Sequence, residues 1–363
     1  MAAIRFTLVP YVNLNRAEWI FPAARHLEPI DARPVPVVAA ASASGVVTQI
    51  GRAARRSRRS RDRTFGYRNR RCHTGPMTAR QQLRVDTPAT RRRLARLGRY
   101  VDTNLLRGNT FVCRGLCQCK GSVALGDDYR EGVMSHVGKR FDLFLGDRPL
   151  RIVVVGQESG LPKGPRALEY SRKVSLESRH RQVTQTTGLE RRYYADIDHP
   201  ARNPHMRGTT SALRVLLGLG LGTDFDEEFV HPVNGRPFHL FEAFALVNRL
   251  LCSAGPMGTS QGRPTRQMLH NCADHFAATL DILEPTIVIL QGAKVAQSTR
   301  EMFTVTRTHT DHLHEAERQG RRLLLCTFSH PSARGALRWG DSPNSPYMTQ
   351  VVTPTLQRAI RRL

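Results

Sequence analysis

The segment Ile152-Val153-Val154-Val155-Gly156-Gln157-Glu158 is the strongest indication of the fold in this chain. Four β-branched apolar residues in a row predict a strand that is buried on both faces, as strands are in parallel sheets. A second apolar run at 323–328 leads into Ser329-His330-Pro331-Ser332, and a third strand, predicted from Phe238 to Val247, is followed by Asn248. Open α/β folds build their sites where the carboxyl ends of parallel strands meet. We therefore expect the polar residues that follow these three strands to share one site.

Strands and helices alternate along the second half of the chain. A helix is predicted to begin at Pro264 and to end before Pro285, because its apolar residues recur at helical spacing. A strand over Thr286–Leu290 follows, and then a helix from Ala293. This alternation predicts an α/β domain with a parallel sheet and helices on both faces.

Charge divides the chain into two regions. The net charge is +25, and residues 1–104 combine few acids with dense arginine, as in Arg55-Arg56-Ser57-Arg58-Arg59. That composition predicts a disordered basic region over 1–104 and a folded domain over 105–363. The basic region is interpreted as disordered with incidental DNA affinity; a DNA-tethering arm, a transit peptide and an extension upstream of a start at Met77 are the alternatives. The excess of positive charge favours a polyanionic partner.

The sequence also predicts where the chain resides. No apolar run is long enough to span a bilayer, and the first residues lack the charged start and apolar core of a secretory signal. We therefore expect a cytoplasmic protein with no membrane partner. Its seven cysteines are then expected to be reduced and available for a metal.

The order of the polar motifs resembles a known family. Gly156-Gln157-Glu158, then Asn248, then His330-Pro331-Ser332 resemble the uracil-DNA glycosylase superfamily over roughly residues 110–345. The resemblance implies a three-layer α/β/α sandwich with a short central parallel sheet. It also implies a monomeric, monofunctional enzyme that hydrolyses the N-glycosidic bond of a flipped-out base in DNA and leaves an abasic site. The alternative is a non-catalytic DNA-binding protein whose fold is held by a metal.

The resemblance assigns roles to the polar residues at the strand ends. His330 is expected to donate a hydrogen bond to the leaving base. Glu158 or Gln157 is expected to order the attacking water and to stabilise the cation-like sugar. Asn248 is expected to read the base, because its amide pairs with O4 and N3–H of uracil or, flipped, with N4–H and N3 of cytosine.

Two further segments carry expectations about DNA. Pro204-His205-Met206-Arg207-Gly208 resembles the family element in which a phenylalanine stacks on the base, and His205 or Met206 stands at that place. This departure, together with a long segment between Leu161 and Asn203, leaves uracil and a bulky 5-substituted cytosine of phage DNA as nearly equal substrates. The loop after His330 is expected to supply a wedge and phosphate contacts. Its predicted DNA-binding residues are Ser332, Arg334, Leu337, Arg338 and Trp339.

The cysteines resemble those of the iron–sulfur branch of the superfamily. Asn248-x3-Cys252, the loop Gly262-Arg263-Pro264 and then Cys272 match the half of that site which follows the asparagine. The other half is expected from two of three closely spaced residues, which are Cys113, Cys117 and Cys119. The resemblance implies a 4Fe–4S cluster, and four thiolates also suit zinc.

Overall fold

The computed structural model describes residues 82–158, 174–184, 202–222, 226–257 and 262–363. All of them belong to one compact unit, His73–Leu363. The disorder predicted for the basic region, up to residue 81, lies outside the described residues.

The described residues form eight α-helices, a seven-stranded main sheet and several smaller ribbons. The helices are α1 Thr87–Asn104, α2 Leu116–Gly121, α3 Leu176–Thr184, α4 Pro204–Leu216, α5 Arg266–Asn271, α6 Ala273–Leu283, α7 Ala293–Thr299 and α8 Thr353–Arg362. The strands of the main sheet are β5 His136–Val137, β8 Ile152–Gly156, β11 Phe244–Asn248, β13 Ile287–Gln291, β14 Thr304–Thr310, β15 Leu313–Arg318 and β16 Arg321–Phe328. The smaller ribbons are built by β1 Leu83–Val85, β2 Leu106–Arg107, β3 Thr110–Phe111, β4 Asp127–Arg130, β6 Leu143–Leu145, β7 Arg148–Leu150, β9 Phe229–Val230, β10 Phe238–His239 and β12 Ser253–Pro256.

The main sheet is mixed, with a parallel centre. Its strand order is β14-β15-β16-β13-β8-β11-β5. Strands β16, β13, β8 and β11 run parallel to one another. At one side β15 pairs antiparallel with β16 and β14 with β15, and at the other side β5 pairs antiparallel with β11. The predicted α/β class is confirmed, and antiparallel strands flank the parallel centre. The strand predicted over Phe238–Val247 is two strands separated by a 3-10 turn at Leu240–Glu242.

Both faces of this sheet are buried because its central strands are apolar along most of their length. Val153 and Val155 of β8 pack into one apolar cluster, to which α1 and α6 contribute Leu97 and Phe276. Ile152 and Val154 pack into the opposite cluster, to which α4 and α8 contribute their apolar residues. Full burial of each such side chain stabilises the fold by about 1.5–3 kcal/mol.

The folded unit begins before residue 105, so the predicted domain boundary is wrong. Asp86 caps α1 by accepting a hydrogen bond from the Ala89 backbone at 2.8 Å, and Leu97 and Val101 of this helix are buried in the core. Arg93 is buried as well, because its guanidinium pairs with Asp142 at 3.1 Å. The run Arg91-Arg92-Arg93, whose composition is typical of a disordered basic tail, thus contains a structural residue of the core.

None of the described helices is both long enough and apolar enough to cross a membrane.

Candidate active site

Four parallel strands end side by side and build one edge of the sheet. Asn248 at the end of β11 is level with Gly156 at the end of β8, and Gln291 at the end of β13 is level with Phe328 at the end of β16. The Gly156 carbonyl accepts a hydrogen bond from the Arg249 backbone at 2.8 Å, which continues the pairing past the last strand residue. The structure therefore brings the segments that bear Glu158, Asn248 and His330 to the same edge.

Gly156 leaves room for two functional side chains. A Cβ atom at this position would lie 3.3 Å from Asn248 Oδ1 and 3.9 Å from His205 Nε2. Asn248 is only 6% exposed, and its Nδ2 has no hydrogen-bond partner among the described residues. A buried amide donor without a partner costs about 1–3 kcal/mol, so Asn248 is poised for a ligand that accepts its hydrogen bond.

Helix α4 holds His205 over the site. Its cap is Asn203, whose side chain accepts from the Met206 backbone at 2.9 Å. The helix closely approaches the loop after β16, since a Cβ at Gly208 would lie 2.7 Å from Pro331 Cβ. His205 stacks on His330 with ring centroids 5.4 Å apart. Met206 packs partly against the core on the α8 side, so His205, and not Met206, is the residue that faces Gly156.

Burial keeps His205 neutral. Desolvation lowers its pKa to about 3, and the neighbouring His330 and Arg179 add to that effect. The amide of Gln291 lies beside the ring and acts in the opposite direction. Gln291 is itself fixed by donating to Thr209 Oγ1 at 3.1 Å. A neutral imidazole here offers a flat, uncharged ring beside Gly156 and Asn248.

His330 carries its proton on Nε2. The Ser332 backbone N–H donates to His330 Nδ1 at 3.2 Å, and the Ser332 hydroxyl lies 2.7 Å from the same atom. Because a backbone N–H can only donate, Nδ1 accepts, and the neutral ring then bears its hydrogen on Nε2. The ring keeps an exposed face, yet partial desolvation lowers its pKa below the ordinary value. His330 is therefore a neutral hydrogen-bond donor at physiological pH.

The loop after β16 is rigid, and Trp339 holds it in place. Trp339 Nε1 donates to the Ser329 carbonyl at 2.8 Å, and the Gly340 backbone donates to the Pro331 carbonyl at 2.8 Å. Trp339 is fully buried, so its predicted role as a wedge in DNA is wrong. Leu337, at 54% exposure, is the apolar residue that this loop presents to solvent.

The arginines of the loop differ in their surroundings. Arg338 and Arg207 both pair with Asp341, the latter at 3.0 Å, so a DNA phosphate would have to compete with this carboxylate. Arg334 and Ser332 are exposed on the same loop. Ser332 is nevertheless tied to His330, so its first role is to orient that ring.

Glu158 is a carboxyl group that is largely shielded from water. Its carboxylate lies directly over the α-carbon of Gly262, where no side chain would fit, and its Oε2 is buried without a hydrogen-bond partner among the described residues. Burial raises its pKa to about 7, and the nearby Lys294 partly opposes that rise. Gln157, the neighbouring candidate, is half-buried. Its backbone carbonyl accepts a hydrogen bond from the Leu250 backbone N–H at 2.8 Å. A carboxyl that titrates near neutral pH is suited to acid–base work.

Four of the cysteines are buried together on one side of the sheet. Cys113, Cys119, Cys252 and Cys272 all belong to the same core cluster, with exposures of 8, 2, 3 and 3%. Burial raises the pKa of Cys252 to about 12, and the adjacent Cys272 and Cys119 add to it. Burial likewise raises the pKa of Cys272 to about 11, and Cys119 and Cys113 contribute. Cys272 thus lies in the neighbourhood of each of the other three thiols.

Two other described cysteines lie apart from these four thiols. Cys117 is exposed on α2, and Cys326 lies in the opposite core cluster. Among the described residues, no group of three or more His, Cys, Asp or Glu side chains is arranged to hold a metal ion. Asn271 Nδ2 donates to Cys119 Sγ at 3.3 Å, and the Tyr129 hydroxyl is buried beside Cys252.

Three residues of the site lie outside the motifs that sequence reasoning selects. Gln291 follows an apolar strand, so the same strand-end rule that finds Asn248 applies to it. Lys294 follows at the start of α7, one of five lysines in an arginine-rich chain. Arg179 lies in the long segment after β8, and no spacing or motif marks it.

No protein-family model matches the chain, and no curated protein sequence matches it.

Proposed function

We propose that this protein is a monofunctional DNA glycosylase of the uracil-DNA glycosylase type, acting as a monomer on DNA. One observation carries the proposal: Asn248, His205 and His330 meet at one sheet edge that also bears Glu158, and buried polar atoms of Asn248 and Glu158 lack partners among the described residues. Unpaired buried groups destabilise a protein, so their retention points to a ligand that pairs with them. A flipped-out base and the water that attacks its sugar are such ligands.

The fold proposed with this activity is a three-layer α/β/α sandwich. It is supported by a parallel centre of four strands and by apolar clusters that cover both of its faces with helices.

Base recognition is assigned to Asn248. Its amide offers one donor and one acceptor in a single plane, which matches the edge of a pyrimidine. The donor Nδ2 is the atom left unpaired, so a base carbonyl or ring nitrogen would satisfy it. His205 lies next to this amide and supplies the ring face on which the base stacks, in the place where the resembled family has phenylalanine.

Departure of the base is assigned to His330. As the glycosidic bond breaks, negative charge develops on the base and is shared with its carbonyl oxygen. The Nε2–H of neutral His330 donates to that oxygen, and Ser332 and Pro331 hold the ring in the required direction. A neutral imidazole does not protonate the base before the glycosidic bond breaks. Its hydrogen bond to the base becomes stronger as negative charge develops on the base.

Water activation is assigned to Glu158. In its ionised form the carboxylate stabilises the cation-like sugar and accepts a proton from water as the new C–O bond forms. Its pKa near 7 means that a large fraction is ionised at neutral pH. Gln157 is the alternative for positioning the water, because an amide can orient a water but cannot take its proton.

DNA binding is assigned to the loop 332–338. Leu337 is the exposed apolar tip that fills the space left by a flipped base, and Arg334 and Arg338 contact phosphates on either side. Ser332, exposed beside them, contributes a backbone contact in addition to orienting His330.

The base removed is proposed to be uracil or a pyrimidine with a bulky 5-substituent, such as the modified cytosines of phage DNA. A histidine face in place of phenylalanine, together with the long segment after β8, favours a pocket that admits a larger base. Of that segment, the described part is 174–184, which includes α3.

The thiol group is proposed to hold a 4Fe–4S cluster through Cys113, Cys119, Cys252 and Cys272. The donor set fits by its chemistry, because four buried thiols lie in the same core cluster and the Nη1 of Arg249 beside Cys272 lacks a partner among the described residues. Four thiolates also suit zinc, and elemental analysis decides between the two groups. Such a group would tie the segment 113–119 to β11 and α6 and would contribute to folding.

The test is release of free bases from a panel of DNAs. Single- and double-stranded DNAs containing normal, deaminated or glucosylated 5-hydroxymethylated bases are incubated with the protein, and free bases are identified by mass spectrometry. We expect one pyrimidine to be released by the wild type and not by His330→Ala. Tight DNA binding without release of any base would instead favour a non-catalytic, metal-held DNA-binding protein.

A further inference from the structure

The parallel strands of the main sheet begin at an edge that lies opposite the candidate active site. Ile287 of β13 is level with Ile152 of β8 and with Leu324 of β16. The Thr286 backbone donates to the Arg151 carbonyl at 3.0 Å, which continues this alignment ahead of the strands. The residues that precede the three strands therefore meet at this edge, which we call the amino edge.

One carboxylate at the amino edge is surrounded by arginines. Arg93 and Arg96 of α1 each pair with Glu284 at 3.3 Å. Arg321, the first residue of β16, pairs with the same carboxylate at 3.5 Å. The backbone carbonyl of Glu284 accepts a hydrogen bond from Arg151 Nε at 2.5 Å. Four guanidinium groups thus converge on one acidic residue.

A second carboxylate close to the first has similar surroundings. Glu315 of β15 pairs with Arg322 at 3.1 Å and with Arg362, in the last turn of α8, at 4.0 Å. His309 lies 2.8 Å from the same carboxylate. Arg321 and Arg322 are consecutive in β16, so the two groups of arginines adjoin.

Positive charge exceeds negative charge at the amino edge. Its six guanidinium groups meet three carboxylates, of which the third is Asp142, paired with Arg93 at 3.1 Å. The carboxylate side chains are at most 20% exposed, whereas four of the arginine side chains are between 37 and 56% exposed. These four are Arg96, Arg321, Arg322 and Arg362. Because a guanidinium has more N–H donors than one ion pair occupies, a partner that approaches this edge meets N–H donors rather than carboxylate oxygens.

The amino edge is far from the candidate active site. Strand β16 runs from Arg321 to Phe328, and at about 3.3 Å per residue its two ends are about 23 Å apart. A straight duplex whose base enters the site at the carboxyl ends of the strands therefore does not reach the arginines of the amino edge. Duplex DNA has a persistence length of about 50 nm, so a short duplex does not fold back around the protein. This edge is thus accessible to a second segment of DNA.

We propose that the amino edge binds the phosphate backbone of a second DNA duplex, so that one protein molecule holds two duplexes at once. Guanidinium groups bind phosphate through paired N–H donors, and such charge-assisted hydrogen bonds are strong. Contacts of this kind go to the backbone and carry no sequence information, so the second duplex is bound regardless of its sequence. The inference rests on the proposed function only in taking DNA as the polyanion.

The test measures how many duplexes one protein molecule binds. Full-length protein is mixed with an excess of a fluorescent duplex of about 25 base pairs, a length that stays straight on this scale. The duplex contains neither uracil nor a modified cytosine. Analytical ultracentrifugation gives the composition of the complexes and the affinity for each duplex at a series of salt concentrations.

A double variant tests the arginines themselves. Arg321→Gln with Arg322→Gln removes two exposed charges from the amino edge, and Glu284 keeps its pairs with Arg93 and Arg96.

The matched control is Arg107→Gln with Arg181→Gln, which removes the same charge. Both residues are exposed, and neither is a partner of Glu284 or Glu315.

We expect the wild type and the control to form a complex of one protein with two duplexes. The amino-edge variant should bind its second duplex at least about 10-fold more weakly, the scale of lost hydrogen bonds to charged groups. Each phosphate contact contributes about 0.9 to the slope of log affinity against log salt, so this slope should fall by up to about 1.8 for the second duplex. A wild type that binds one duplex per molecule would overturn the inference, as would two duplexes held by a pair of protein molecules or equal affinity for the second duplex in the two double variants.

A second pair of substitutions covers the case in which the first variant does not fold. Arg96→Gln with Arg362→Gln removes the other two exposed charges, and Glu284 and Glu315 each keep two cationic partners. The same loss of the second duplex is expected, and undiminished binding of two duplexes would overturn the inference. Base release is measured separately with every variant and should equal that of the wild type. A protein that binds two duplexes through the amino edge but releases no base would refute the glycosylase and leave the second DNA site standing.

Discussion

Replacing Glu158 with Gln should change how the stability of the protein depends on pH. The carboxyl is buried over Gly262, and its pKa is raised to about 7 from an ordinary 4.5. Between these two values the folded protein binds a proton at Glu158 that the unfolded chain has already released. The free energy of unfolding therefore falls as pH rises through this window. The contribution of Glu158 to it is lowest above pH 7.

The size of the effect follows from the difference in pKa. At about 1.36 kcal/mol per pKa unit, ionising Glu158 in the folded protein costs about 3 kcal/mol. Glutamine has a similar shape and does not ionise, so Glu158→Gln should be more stable than the wild type by up to about 3 kcal/mol at pH 8. The difference should vanish below pH 4, where the wild-type carboxyl is protonated in both states.

The measurement is the free energy of unfolding in urea, for the wild type and Glu158→Gln, at a series of pH values from 4 to 8.5. Glu317→Gln is the control, because Glu317 is exposed on β15, and it should follow the wild-type curve. Base release should behave oppositely: the wild-type rate rises with a midpoint near pH 7, and Glu158→Gln is slow throughout. A constant stability difference across the pH range would refute the assignment of a buried, protonatable carboxyl.

Three other outcomes are expected. His330→Ala and Asn248→Ala should each slow single-turnover base release by about 10²- to 10³-fold while circular dichroism shows a folded protein, and full activity in His330→Ala would contradict the mechanism. Elemental analysis should find four irons per chain in anaerobically purified wild type and in Cys117→Ser, and far less in Cys119→Ser. One zinc per chain and no iron would show that the thiols hold zinc. Equal amounts of metal in the two variants would refute the choice of ligands. A chain that begins at Met77 should retain base release at low salt and show a shallower salt dependence of DNA affinity, and a folded but inactive product would show that the basic region is required.

The centre of the sheet is predicted well from the sequence, because a buried parallel strand appears locally as a continuous apolar run. Continuous β-branched runs predict β8 and β13 nearly to the residue, and the strand-end rule brings Asn248 and His330 to the same edge. The helix expected from Pro264 is observed as α5 and α6, which meet at Cys272. Period and composition suffice for these elements because each is decided by its own residues.

The parts that sequence reasoning misses depend on distant partners. Arg93 belongs to an arginine run typical of a basic tail, but Asp142, 49 residues away, makes it a core residue. Trp339 follows the loop expected to enter DNA, yet its indole is buried and bonded to Ser329.

We propose that this protein breaks the glycosidic bond of a base held between Asn248 and His330. The most direct measurement is a single-turnover reaction on duplexes that contain either uracil or glucosylated 5-hydroxymethylcytosine at one position, with free base and abasic sites counted separately. We expect one free base per abasic site from at least one of these duplexes, with the bulky base released at least as well as uracil, and neither product from the double variant of Asn248 and His330. DNA bound by the wild type with no free base and no abasic site would contradict the claim.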